Sequence, residues 1–60
     1  MATIDLVTEQ YEALVAEHTA FAEKGNGAAG TRARKAAMEL TKLMKVLRTE
    51  IQDAKNAKKS

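Results

Sequence analysis

Apolar residues recur through the first part of the chain at Ile4, Val7, Tyr11, Leu14 and Phe21, and His18 fills the one gap in the series. The spacings alternate three and four, the repeat that keeps a single face of an α-helix turned one way. Val15 and Ala22 widen this stripe. Thr3 is placed to cap the helix, Asp5 and Glu9 suit the positive end of its dipole, and Lys24 followed by Gly25 marks its end. A more regular series follows at Gly30, Ala33, Ala37, Leu40, Met44, Leu47, Ile51 and Ala54, flanked by Ala36 and Leu43. Asn26 is a suitable N-cap for it.

The pattern therefore predicts one domain over residues 1–60: a helix over about 4–24, a turn at 25–26, a helix over about 27–56 and a basic tail at 57–60. Pro is absent and good helix formers dominate, which agrees with an all-α reading. So short a connection makes the two helices antiparallel neighbours, with the basic end of the longer second helix extending beyond the first. The first three turns of the second helix place only Gly and Ala on the seam, so another backbone can approach closely there. The fold class is an antiparallel helical hairpin. A chain of 60 residues with two aromatics, Tyr11 and Phe21, as its core anchors and no Cys has little to bury alone. Pairing of two hairpins into a four-helix bundle is the expected remedy, giving a homodimer or a higher homo-oligomer.

Charge changes this picture. Residues 1–23 carry five carboxylates and no Lys or Arg, whereas residues 24–60 carry all ten Lys and Arg against Glu39, Glu50 and Asp53. The net charge of +2 thus conceals an acidic half and a basic half. A basic half of this density suits a polyanion, with nucleic acid foremost, although two oppositely charged arms also attract each other. On a helical wheel Arg34, Lys45, Arg48, Lys55 and Lys59 share one stripe with Thr41 and Gln52, uninterrupted by acid. Glu39, Glu50 and Asp53 lie elsewhere among Arg32, Lys35 and Lys42, where Lys35–Glu39 and Glu39–Lys42 pairs are available.

The densest signal runs from Lys24 through Asn26, Gly27 and Thr31 to Arg32, Arg34 and Lys35. Small residues at a helix start leave backbone amides open to phosphate oxygens, and the cations that follow supply charge-assisted contacts. A hairpin turn with a tight helix crossing explains the small residues as well, and both roles can coexist. The run lacks the Gly-Lys-Ser/Thr ending of a nucleotide-binding P-loop.

In this segment the chain resembles the bacterial linker-histone-like proteins of the chlamydial type. The shared residues are Ala22-Glu23-Lys24-Gly25-Asn26, Ala28-Ala29 and Arg32-x-Arg34, then Leu40, Lys45, Arg48, Glu50 and Ala54. It is more similar still to short tailless relatives with the signature Lys-Gly-Asn-x-Ala-Ala-Gly-Thr-Arg-x-Arg-Lys, met here ungapped from Lys24 to Lys35. The resemblance, over about residues 22–56, implies a nucleoid-associated protein that binds and compacts double-stranded DNA with little sequence preference. The DNA-binding set it and the charge pattern suggest is Lys24, Asn26, Gly27, Thr31, Arg32, Arg34, Lys35, Lys45, Arg48 and Lys55.

Other chemistry finds no support. His18 is the sole His and lies on the apolar seam, as a packed or interface residue does. No nucleophile, base and orienter can be assembled, so no enzyme, cofactor, metal or small-molecule substrate is expected. No apolar run approaches a membrane span and no secretory leader is recognisable, so the expected location is cytoplasmic, at the nucleoid. Two rivals remain: a structural helical module docking on another protein through the Gly27–Ala37 seam, and an RNA-binding protein with the same charge logic.

Overall fold

Gly25 is where the chain reverses. Its backbone sits at φ 63° and ψ 26°, the left-handed region that an L side chain adopts poorly. From there its N–H donates to the Phe21 carbonyl at 3.0 Å, and the Asn26 N–H reaches the Ala20 carbonyl at 3.5 Å. These bonds satisfy carbonyls that the helix end would otherwise orphan. One residue later Asn26 opens the next helix, its side-chain Oδ1 accepting from the Ala29 N–H at 3.2 Å.

In the computed structural model, which describes residues 2–58, the helices are α1 (Thr3–Lys24) and α2 (Gly27–Lys58). They form an all-α antiparallel hairpin with no strand among the described residues. Ala57 and Lys58, expected in a tail, continue α2; Lys59 and Ser60 lie outside the described residues. Thr3 does not cap α1. Ala2 holds that place without a side-chain bond, and the Thr3 hydroxyl instead donates across the hairpin to the Glu50 carboxylate. Residues after Glu50 therefore extend past the start of α1, and the molecule is a ribbon of 53 × 16 × 14 Å.

The packed seam is narrower than the apolar stripes and turned relative to them. On α2, Ala29, Ala33 and Ala36 are buried, and Leu40, Leu43 and Leu47 continue the line half-buried. On α1 the corresponding face is Val7 with the half-buried Leu6, Gln10, Leu14 and Glu17. Val7, Leu14, Ala33, Leu40 and Leu47 thus lie where the periodicity puts them. Tyr11 and Phe21 do not serve as anchors of this core, for they are 59% and 49% exposed, and Ile4, His18, Met44 and Ile51 also face outward. The cause is geometric. A two-residue turn lets only one flank of each stripe meet the other helix, and the alanines choose that flank because they permit the closest approach.

Gly30 has a specific neighbour. A Cβ built on it would stand 2.7 Å from Cδ1 and 3.0 Å from Cε1 of Phe21, so the ring lies flush against the glycine backbone. The close approach is thus made by a side chain of the same hairpin. Gly30→Ala gains up to about 1 kcal/mol of helix propensity but displaces this ring. We expect Gly30→Ala to destabilise the wild-type background and to stabilise a Phe21→Ala background, giving a clear coupling energy in a denaturation double-mutant cycle. Equal effects in the two backgrounds would show that the ring contact is immaterial.

Candidate nucleic-acid interface

The local rules that build α2 also distribute its cations. Arg34 lies about 100° or more from both Arg32 and Lys35 on the wheel, so the run Arg32, Arg34, Lys35 cannot form one patch. Arg32 turns toward α1, where its Nε donates to the Glu17 carboxylate in an ion pair that joins the two helices. The Arg32 side chain is 56% exposed, which limits such a pair to roughly 0.2–1 kcal/mol. Arg34 borders the opposite face, in an apolar groove with His18, Phe21, Gly30 and Ala33. Lys35 is exposed between these two sides, and Glu39 pairs with Lys42 at 3.8 Å rather than with Lys35.

The turn residues are partly committed to structure. Asn26 spends its side-chain oxygen on the helix cap, and Thr31 donates to the Gly27 carbonyl at 3.4 Å. Gly27 offers open space, with nothing within 4 Å of a built Cβ, and Lys24 is exposed in the last turn of α1. The helix start remains approachable, but its side chains are not arrayed as a cluster.

The long stripe is different. Arg34, Lys45, Arg48 and Lys55 are all exposed, and none has an ion-pair partner among the described residues. From Arg34 to Lys55 the stripe runs about 31 Å at about 1.5 Å per residue. Thr41 and Thr49 return their hydroxyls to the Ala37 and Lys45 carbonyls at 3.0 and 3.1 Å, and so add no obstruction. Gln52 bonds Asn56 at 3.2 Å. A shallow depression lined by Lys45, Arg48, Thr49, Gln52 and Asp53 sits within it. Asp53 forms the far wall, so acid borders the stripe although it does not enter it. Lys59, assigned to this stripe from the wheel, lies outside the described residues.

What sequence reasoning missed is the Arg32–Glu17 pair. No local signal carries it, because it depends on the register between two helices.

The described residues thus form an elongated two-helix hairpin with one basic edge and one acidic edge. The family model for the histone H1-like protein Hc1 matches residues 1–57, and the chain belongs to that histone-like, DNA-binding family. No curated relative and no solved structure matches it. Among the described residues no helix is long and apolar enough to cross a membrane, and no group of three or more His or carboxylates is placed to hold a metal.

Glu17 holds the Arg32 guanidinium and would compete with a phosphate for it. Glu17→Gln should therefore tighten DNA binding at low salt and steepen the slope of log affinity against log salt by up to about 0.9 per chain. The gain should vanish in a Glu17→Gln, Arg32→Ala double variant. A gain that persists there would assign the effect to bulk charge and not to release of Arg32.

Proposed function

We propose that this chain is a nucleoid-associated protein that acts as a homodimer, binding double-stranded DNA through phosphates without reading base sequence and helping to organise or compact it. The observation that carries this reading is the exposed stripe of Arg34, Lys45, Arg48 and Lys55, free of carboxylate partners on a helix whose other cations are largely paired or mixed with acid. Membership of the histone H1-like family supports the DNA-binding part. Flexible Lys and Arg side chains along a long helix suit a repeating line of negative charge, and they carry no base information. The open amides at the start of α2, with Lys24 and Gly27 beside them, add a place for one phosphate oxygen at the turn. Arg32 and Lys35 contribute from the other side of the helix, Arg32 only after leaving Glu17.

The second reading, a helical module that docks on another protein, draws on the exposed Ile4, Tyr11, Val15, Met44 and Ile51. The two readings separate in a gel-shift series with random-sequence DNA across salt. About six to eight phosphates neutralised per dimer give a log–log slope of roughly −5 to −7. Neutralising Arg34 and Lys45 together removes four charges per dimer and should reduce that slope by up to about 3.6, equally for every sequence tested. Unchanged affinity in a folded double variant would favour the protein-docking reading, and a loss confined to one sequence would mean that bases are read. Competition with duplex RNA under the same conditions separates DNA from RNA preference.

A further inference from the structure

The ribbon has two broad faces, and they differ. One is polar and closed by the cross-hairpin contacts Thr3–Glu50 and Glu17–Arg32. The other begins at the groove where His18 and Phe21 meet Gly30, Ala33 and Arg34. The helical repeat extends that second face through Tyr11, Val15 and Ile4 on α1 and through Ala37, Met44 and Ile51 on α2. All six of these residues are exposed. Met38 and Val46, also exposed, lie on other sides of α2.

We propose that this face is covered by a second copy of the chain whose two-fold axis runs along the length of the ribbon, so that α1 of each copy packs against α2 of the other. The proposal rests on the homodimer in the reading above and gives it a geometry. Two symmetric ways exist to lay one such face on another. An axis across the ribbon stacks α1 on α1 and α2 on α2. An axis along the ribbon stacks α1 on α2 at both positions.

Charge decides between them. Helix α1 carries five carboxylates against Lys24 alone, whereas α2 through Lys58 carries eight cations against three carboxylates. The crosswise axis sets acidic flank on acidic flank and basic on basic, and like charges juxtaposed at an interface are costly. The lengthwise axis sets each acidic flank beside a basic one. Register follows from the contacts within one hairpin. Thr3 stands level with Glu50, Glu17 with Arg32 and Phe21 with Gly30, which puts Thr8 level with Met44 and Asp5 with Leu47. A lengthwise axis keeps each of these levels between copies. Asp5 of one copy then lies level with the stretch from Lys45 to Arg48 of the other, and Glu12 with Leu40 and Thr41. Arg48 lies one turn from both Met44 and Ile51, at the border of the apolar face, where its exposed guanidinium is within reach of Asp5 of the other copy. Arg34, which lines the groove at the head of this face, sits at its border as well, and Lys45 and Lys55 stay exposed on α2.

The axis also fixes where the functional ends go. With it lengthwise, both Gly25 turns emerge at one end of the dimer and both α2 extensions beyond Glu50 at the other. With it crosswise, each end carries one of each.

A single spin label separates these cases, because the chain has no native Cys. Ala54→Cys places the label on the exposed extension of α2, away from the packed seam. Measured by electron spin resonance on DNA-free protein, with dimer mass checked by sedimentation, the lengthwise axis gives a label-to-label distance under about 25 Å. A crosswise axis gives about 45 Å or more, from the helix rise between the two ends, and overturns the proposal. A monomer at the concentrations used for DNA binding overturns both the geometry and the homodimer. The DNA reading is judged separately by the salt slope of unlabelled protein, so a long distance with an intact slope removes the geometry and leaves DNA binding standing. As a second readout, Asp5→Lys should weaken the dimer and Arg48→Glu should restore it in the same chain; weakening that Arg48→Glu does not relieve also counts against the lengthwise axis.

Discussion

The structure depends on one constraint: α2 must come close enough to α1 for a two-residue turn to span them. Gly25 supplies the left-handed backbone that makes the reversal, and Ala29, Ala33 and Ala36 keep the first turns of α2 thin. Phe21 against the bare backbone of Gly30 belongs to the same arrangement. The cost is a meagre core. Among the described residues the one completely buried is an alanine, Ala29, and the larger side chains Leu14, Leu40, Leu43 and Leu47 each stay partly exposed. Methyl groups bury little area, and at about 25 cal/mol per Å² they return little free energy. A hairpin closed this way is well defined in shape and poorly provided with stabilising burial.

From that constraint the surface follows. Bringing α1 and α2 together puts an acidic edge and a basic edge on opposite sides of the hairpin, with one polar face and one apolar face between them. The Arg32–Glu17 pair crosses the polar face, where the two charge systems meet. The stripe from Arg34 to Lys55 carries no acid of its own on the wheel, and Asp53 borders it. The cations left exposed as the proposed DNA-binding surface are therefore selected by their angle on the helix. Density in the sequence is a poor guide to this: the run Arg32, Arg34, Lys35 is the densest, yet the fold sends its members in different directions.

This explains which features were legible beforehand. Both helices, the left-handed Gly25 and the Asn26 cap are local, and each is encoded within a few residues of where it acts. The azimuth of each helix is not local. Ile4, Tyr11 and Phe21 satisfy the same three-and-four spacing as Val7 and Leu14, and periodicity alone does not say which flank of a wide stripe meets its neighbour. Thr3 leaves the cap position for a similar reason, since a hydroxyl at a helix start has a second use when Glu50 stands opposite it. The ion pair of Arg32 and the ring contact of Gly30 depend on inter-helix register, which only the fold reveals. The candidate DNA site was legible as a charge stripe, because a stripe needs only one helix and its periodicity.

The central claim is that the hairpin alone buries too little and is completed by a second copy. Thermal unfolding followed by circular dichroism across a hundredfold range of protein concentration tests it most directly. An obligate dimer links unfolding to dissociation, so the midpoint should rise steadily with concentration. A midpoint that stays constant over that range, with a monomer mass throughout, would contradict the account.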